Sequence, residues 1–373
     1  MKFLFWGAAA FVFYAYAGYA ALLWIWSRLS PRPVLRGVNE SFVSVVMVVR
    51  NEERTLPRKL LNLTSFNYPP DRLEFVIVSD GSTDGTEQIL SQAAKDKRFQ
   101  IVIAPDPKGK ACRLNEALAS AQGEIVVFMD ARQEIEPDAV RLLLENFTDP
   151  AVGCVSGELM LGDAASGEAE KRMGLYWRME KKIRALESAS DSVVGATGAL
   201  YAARRSLLVP IPPETLLDDV LLPLHVARQG SRVIFDGRAR AWDDPDLGAE
   251  KEFRRKVRTL TGNYQLVQLA PWVLSAENPL WFRFVSHKLL RLAVPFALAA
   301  LLVASVAIPE RLYRGAFALQ LAFYGLALFA LSNRPHGALT RIANAVLALV
   351  VLNTAAVVAF ANFVTGRKEV WIR

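Results

Sequence analysis

Four long runs without a single Asp, Glu, Lys or Arg bound what this chain can fold into, and they sit at its two ends. The first covers residues 3–26. At about 1.5 Å of rise per residue, a helix of that length crosses a hydrocarbon core of about 30 Å. The others cover 292–309, 315–333 and 342–366, each about long enough to span. As buried core helices, three such runs so close together would leave little polar surface, so they read as membrane segments. The first run is too long for the apolar region of a secretory signal peptide, and no small-residue cleavage site follows it.

Trp24 and Trp26 suit an interfacial belt, and Arg28, Arg32 and Arg36 follow. By the positive-inside rule the segment after this helix faces the cytosol. One crossing in and three crossings out would leave residues 367–373 outside. Yet that stretch is basic, and Arg334 and Arg341 favour an inside loop. One late segment, with the Pro295-containing one as candidate, is therefore expected to be re-entrant or to lie in the interface.

Composition narrows the partners. The chain has 373 residues, is 52% hydrophobic and carries a net charge of +7. A basic surplus suits nucleic acid, anionic lipid or phosphorylated substrates. The cations sit beside the membrane runs and not along an aromatic-studded groove, which argues against nucleic acid. Residues 171–184 carry Tyr176 and Trp177 among many cations and read as a helix at the membrane surface. Cys112 and Cys154 show neither metal-ligand spacing nor a disulfide framework, and read as small core residues in a reducing compartment.

Between residues 41 and 270 the pattern changes. Residues 42–49, 75–78, 101–103 and 125–129 are short apolar runs, which suggests buried strands. Helical stretches alternate with them at 53–64, 85–94, 110–122 and 137–146. Ser82, Thr83 and Asp84 are placed to cap the second helix, and Pro137 fits a first helical turn. Alternation of this kind implies an α/β domain with a mostly parallel sheet, in which ligands bind at the carboxyl ends of the strands. The expected division is an anchor at 1–28, a domain at 41–270, an interfacial connection at 271–291, membrane segments at 292–366 and a basic tail at 367–373.

Carboxylates collect where such a sheet would use them. Val76-Ile77-Val78 is followed by Ser79-Asp80-Gly81-Ser82-Thr83-Asp84-Gly85, and residues 125–129 by Asp130-Ala131-Arg132. Later, Asp218 and Asp219 interrupt an apolar stretch. A carboxylate at a strand end can bind a ribose, a base edge or a metal. Asp is also common at turns and caps, so the weight lies in the three places taken together.

In that order the residues resemble glycosyltransferase family 2, with its GT-A fold, from Phe42 to about Gln268. Val48-Val49-Arg50-Asn51-Glu52-Glu53 is similar to the first nucleotide-contacting strand end. Asp80 matches the Asp that reads the nucleoside, and Gly109-Lys110-Ala111-Cys112-Arg113-Leu114-Asn115 the segment whose Lys approaches the donor. Asp130-Ala131-Arg132 stands where the family has Asp-x-Asp, and Leu217-Asp218-Asp219 where an acidic pair supplies the base. One anchor before the domain and several after it resembles the polysaccharide-synthase branch.

The resemblance implies an inverting transfer from a nucleotide-sugar donor, a UDP-sugar in the first instance, to a glycan or lipid-linked acceptor. It implies an integral protein of the bacterial inner membrane with a cytosolic catalytic domain. Arg50, Glu52, Asp80, Lys110, Asp130, Arg255 and Arg258 would bind the donor. Asp219 would be the base and Asp218 its neighbour, while Gly195, Thr197 and Gly198 would line the acceptor side. Asp130 would hold Mg2+ or Mn2+, which stabilises the leaving diphosphate. Arg132 replaces the family's second acid. It either supplies positive charge itself or points to solvent. Residues 195–199 equally fit a plain turn.

The family's Gln-x-x-Arg-Trp becomes Arg255-Lys256-Val257-Arg258-Thr259, which keeps only the Arg. The same segment also fits a cationic helix at anionic lipid headgroups. Losing the Trp weakens the case for a processive enzyme and leaves a single-sugar transferase acting on polyprenyl phosphate as the rival. A self-contained export channel would need a homo-oligomer or an export partner. A transporter or scaffold would place charges inside the apolar runs, and these have none. His225, His287 and His336 are too scattered for a metal site.

Overall fold

The computed structural model describes residues 1–162, 175–243, 248–332 and 338–366. The basic stretch 367–373, Arg334 and His336 lie outside the described residues, as do residues 171–174 of the cationic segment.

Helix α1 (Lys2–Leu29) precedes the domain. The domain then runs β1 (Val43–Val49), α2 (Leu56–Thr64), β2 (Leu73–Asp80), α3 (Thr86–Ala93), β3 (Phe99–Ala104), α4 (Lys110–Ser120) and β4 (Ile125–Met129). It continues with β5 (Glu134–Ile135), α5 (Ala139–Glu145), β6 (Val152–Leu161), α6 (Leu175–Ser190), β7 (Leu200–Arg204), α7 (Asp218–Arg228), β8 (Arg232–Asp243) and α8 (Ala249–Leu269). Three long helices follow, α9 (Trp281–Ala307), α10 (Arg311–Ser332) and α11 (Ala338–Val364).

One sheet holds the strands in the order β3-β2-β1-β4-β7-β6-β8-β5. Its first four strands are parallel, with Val43 opposite both Leu73 and Ile125. Strand β7 then runs antiparallel between β4 and β6, so the second half is mixed. The parallel half is covered on both faces, which is why its strands read as unbroken apolar runs. Val43, Val45 and Met47 of β1 pack with Leu56, Leu63, Leu90 and Leu143 on one face. Val46 turns to the other face, against Ala111, Leu114, Leu221 and Leu266.

Several expectations shift in detail. Pro137 lies outside α5, which starts at Ala139 with Asp138 at its N-cap. Asp84 does serve α3, accepting from Thr86 N at 3.0 Å, one residue ahead of the N-cap Gly85. Cys154 is buried, whereas Cys112 is only partly so.

Four helices among the described residues are long and apolar enough to cross a membrane: α1, α9, α10 and α11. Helices α1 and α9 pack antiparallel. Lys2 pairs with Glu310 near one end, and Tyr14 Oη lies 2.8 Å from Ser286 Oγ toward the other. Pro295 causes no turn-back, because α9 continues through it for 27 residues. That helix also begins well before residue 292, so Arg283, His287, Lys288 and Arg291 are part of it.

These polar groups tie membrane helices to the domain. Glu187 on α6 accepts from Tyr19 Oη at 2.6 Å and lies 3.0 Å from His287 Nδ1. His287 Nε2 is 2.9 Å from Glu180, which also accepts from Arg291 at 2.7 Å. Helix α6 is therefore wedged between α1, α9 and the sheet, and its Arg184 points inward instead of lying on a membrane surface. Arg32 and Arg36 bond Asp191 and Asn146 of the domain at 2.8 and 2.9 Å.

Candidate active site

The site lies at the carboxyl ends of the parallel strands. The ends of β1 and β2 are laced together there. Asn51 takes a left-handed backbone (φ 54°), a conformation Asn tolerates better than most residues. Its side-chain oxygen accepts from Thr83 N at 2.8 Å, and Glu53 Oε2 accepts from Gly85 N at 2.8 Å. Glu52 accepts from Thr55 Oγ1 at 2.5 Å. Arg50 is partly exposed beside this pair of loops and makes no ion pair among the described residues.

Asp80 is buried, and its carboxylate organises the next loop. Oδ1 accepts from Lys108 N at 2.7 Å and from Arg113 Nε at 2.9 Å, and Oδ2 accepts from Gly109 N at 3.0 Å. An ionised carboxylate offers about four acceptor positions, so one remains. Gly109 has φ 89°, which favours glycine at the start of α4. That start aims Lys110 at the acids.

Lys110 Nζ lies 3.0 Å from Asp130 Oδ1 and 3.4 Å from Asp218 Oδ2. Burial lowers the Lys110 pKa, but Asp130, Asp218 and Asp219 outweigh it and raise it above the ordinary range. Asp130, at the end of β4, keeps 42% of its side chain exposed. Asp218 and Asp219 form the first turn of α7, where the helix dipole favours negative charge.

Asp219 is fixed from two sides. Gly198 N donates to its Oδ2 at 3.0 Å, and Ala196 N donates to its backbone carbonyl at 2.7 Å. Within a helix that carbonyl would accept from the residue four positions on. That residue is Pro223, which has no N–H, so the carbonyl is free for the loop. Burial first, then the charges of Asp218 and Asp130, push the Asp219 pKa up to about 6, against the lowering pull of Lys110 and Lys288.

The loop 195–199 is thus part of the site. A Cβ added at Gly198 would stand 3.3 Å from Asp219 Oδ2 and 3.7 Å from Asp130 Oδ2. Thr197 N donates to Ser156 Oγ at 3.1 Å, and Gly195 O accepts from Arg184 at 3.0 Å.

Arg132 does not point to solvent. It forks onto Asp243 at the end of β8, with Nε to Oδ1 at 2.8 Å and Nη2 to Oδ2 at 2.5 Å. Arg255 approaches the same carboxylate at 3.5 Å, while Arg258, on the same helix, is exposed and makes no ion pair among the described residues. Asp243 and Lys59 are two residues that sequence reasoning missed. Asp243 closes a strand with four charged residues before it, so it lacked the signal of an acid ending an apolar run. Lys59 is buried and holds the loop after Asp130 by donating to Gln133 O at 2.8 Å. Burial lowers its pKa to about 7.

Among the described residues no three His, Cys, Asp or Glu side chains form a metal cage. Asp130 fits a different arrangement, in which a cation takes one or two protein carboxylates and completes its shell with substrate phosphates and water.

Comparison with known proteins bears on the family and the fold. Residues 44–209 match the model of Glycosyl transferase family 2, a span that holds Asp80, Lys110 and Asp130 and stops short of Asp218. The chain is 22% identical over 229 residues to poly-beta-1,6-N-acetyl-D-glucosamine synthase of Staphylococcus aureus (strain COL), covering 60% of this chain and 55% of that protein. It is 26% identical over 245 residues to "Probable glycosyltransferase YdaM" of Bacillus subtilis (strain 168), covering 60% of this chain and 56% of that protein. These matches span little more than half the length of the curated relatives. The structure resembles that of mannosyltransferase PcManGT from Pyrobaculum calidifontis in complex with GDP-Man and Mn2+, with a TM-score of 0.74 and 23% identity. That likeness covers 98% of this chain and 99% of the other, and shows the fold to be GT-A.

Proposed function

Because the chain carries a glycosyl transferase family 2 domain, we propose that it transfers a sugar from a nucleoside-diphosphate sugar to a hydroxyl of a glycan or lipid-linked acceptor, with inversion. The observation that carries this reading is the meeting of Asp130, Asp218, Asp219 and Lys110 around the space left by Gly198. The acceptor oxygen bonds to the anomeric carbon from the face opposite the leaving group. The bond from that carbon to the phosphate oxygen breaks, and the diphosphate leaves with the electron pair.

Asp219 takes the acceptor's proton. A base works best with a pKa near the working pH, and its value of about 6 suits this role. Asp218 keeps that value raised. Lys110 sets its charge beside Asp130, toward the donor. Asp80 shapes the loop that receives the nucleoside, with Arg50 and Glu52 at its edge. Asp130 would hold Mg2+ or Mn2+, which when bound neutralises charge on the leaving diphosphate. UDP-sugars come first in the donor panel, as the family resemblance implies.

Four candidate spans fit a membrane protein. We assign residues 1–28 to the anchor, 41–270 to the domain, 271–291 to a connection whose last part is already the first turns of α9, and 292–366 to the membrane segments. We place the domain on the cytosolic side of a bacterial inner membrane, from Arg28, Arg32 and Arg36. Export of a polymer would call for a homo-oligomer or a partner.

A second reading is transfer to a polyprenyl phosphate. It is favoured by an apolar cavity of about 490 Å³ between α8, α9 and α11, lined by Tyr264, Leu292, Phe296, Phe360 and Phe363. A phosphate acceptor is already ionised at neutral pH and needs no base, so the raised Asp219 pKa favours the hydroxyl. Incubation of the purified protein with a panel of nucleotide-sugars, reading released nucleotide and product size, tests both. A long polymer or an extended glycan supports the first reading. One sugar on an organic-extractable lipid phosphate supports the second, and no nucleotide release with any donor contradicts both.

A further inference from the structure

Arg132 occupies the position where the family pattern has an acid, yet it is as well held as a ligand would be. It lies two residues after Asp130, within about 7 Å along the chain. Its loop is anchored from α2, where Arg58 donates to Arg132 O at 3.3 Å and Lys59 to Gln133 O. Its guanidinium has five N–H donors, of which the fork onto Asp243 uses two. The remaining three have no partner among the described residues, and 36% of the side chain is exposed.

Charge favours an anion at this place. Asp243 is almost fully buried, and both Arg132 and Arg255 address it, which leaves one net positive charge. Across the site three carboxylates face Lys110, with Lys288 adding its charge at longer range, which still leaves a surplus of negative charge. A nucleoside diphosphate entering beside Asp130 meets that surplus and needs cations near its phosphates. A planar fork fixed by a carboxylate is suited to hold a phosphate by paired hydrogen bonds, with little ordering left to do.

We propose that Arg132, oriented by Asp243, binds the diphosphate of the donor and supplies there the positive charge that a second metal-binding carboxylate would otherwise recruit. This rests on the donor reading above. Asp243 is then a positioning residue, since it touches Arg132 and not the nucleotide.

The test is calorimetry on the purified full chain with UDP, GDP and CDP and the matching monophosphates, in EDTA and again with Mn2+. The wild type is expected to prefer a diphosphate to its monophosphate in EDTA. Arg132→Ala should cut that preference about tenfold or more while monophosphate affinity stays within about twofold. Arg132→Lys keeps the charge on Asp243 without the fork, and should retain part of the preference. Asp243→Asn should reduce it without removing any contact to nucleotide. Arg132→Lys also guards against misfolding, because it leaves the buried carboxylate paired. An unchanged preference in folded Arg132→Ala overturns the inference and leaves the donor reading standing. Failure of the wild type to bind any diphosphate, with or without Mn2+, overturns both.

Discussion

The amide of Gly198 donates to the carboxylate of Asp219 at 3.0 Å, and no side chain stands between them. Gly198 does not need a left-handed backbone, since it is absent from the positive-φ glycines. Its role is spatial. Gly198→Ala would set a methyl group 3.3 Å from Asp219 Oδ2, beside the oxygen proposed to take the acceptor's proton. The expected result is a fall in kcat/KM of about tenfold or more with Tm within a few degrees of wild type, read by steady-state kinetics and thermal melting.

A pH profile reports the acid cluster. The base must be ionised, so kcat/KM should fall on the acid side with an apparent pKa near 6. Asp218→Asn removes a charge that raises this value and should move the acid limb to lower pH. Lys110→Met removes a charge that lowers it and should move the limb to higher pH. An acid limb that stays fixed in both variants would contradict the cluster.

Stability carries the opposite sign. Asp219 has a folded pKa raised above its ordinary 3.8, so its ionisation weakens the fold as pH rises through about 6. Asp219→Asn should therefore melt at or above the wild-type temperature at pH 7.5, and lose that advantage at pH 4. Melting curves at the two pH values check it.

Pro223→Ala restores an N–H four residues after Asp219. It can compete with Ala196 for the Asp219 carbonyl, and it removes a poor helix former from α7. The expected outcome is a Tm unchanged or raised together with a kcat lowered several-fold. A rise in activity would argue against a role for the Ala196 bond.

Much of the parallel half was legible in the sequence. Strands β1 and β4 are buried on both faces, so Val43–Val49 and Ile125–Met129 are apolar except for Ser44, whose hydroxyl donates to the buried Glu74. Asp80, Asp130 and Asp219 stood out because each interrupts or ends such a run. The mixed half was harder. Strand β8 carries Arg232, Asp236, Arg238 and Arg240, and three of these find partners on distant elements: Arg232 at Ser188 O, Asp236 at Asn146 and Arg238 at Glu145. Nothing local joins Asp243 to Arg132, 111 residues away. Helix α6 misled for the same reason: its charges face Tyr19, His287 and Arg291, which are contacts that only the folded chain supplies.

The central claim is that Asp219 is the base of a sugar transfer. The most direct measurement compares Asp219→Asn with wild type by released nucleotide and by donor binding on the same preparation. A loss of turnover of about a hundredfold or more, with donor affinity within about twofold, is the predicted result. Turnover of the variant at the wild-type rate would contradict it.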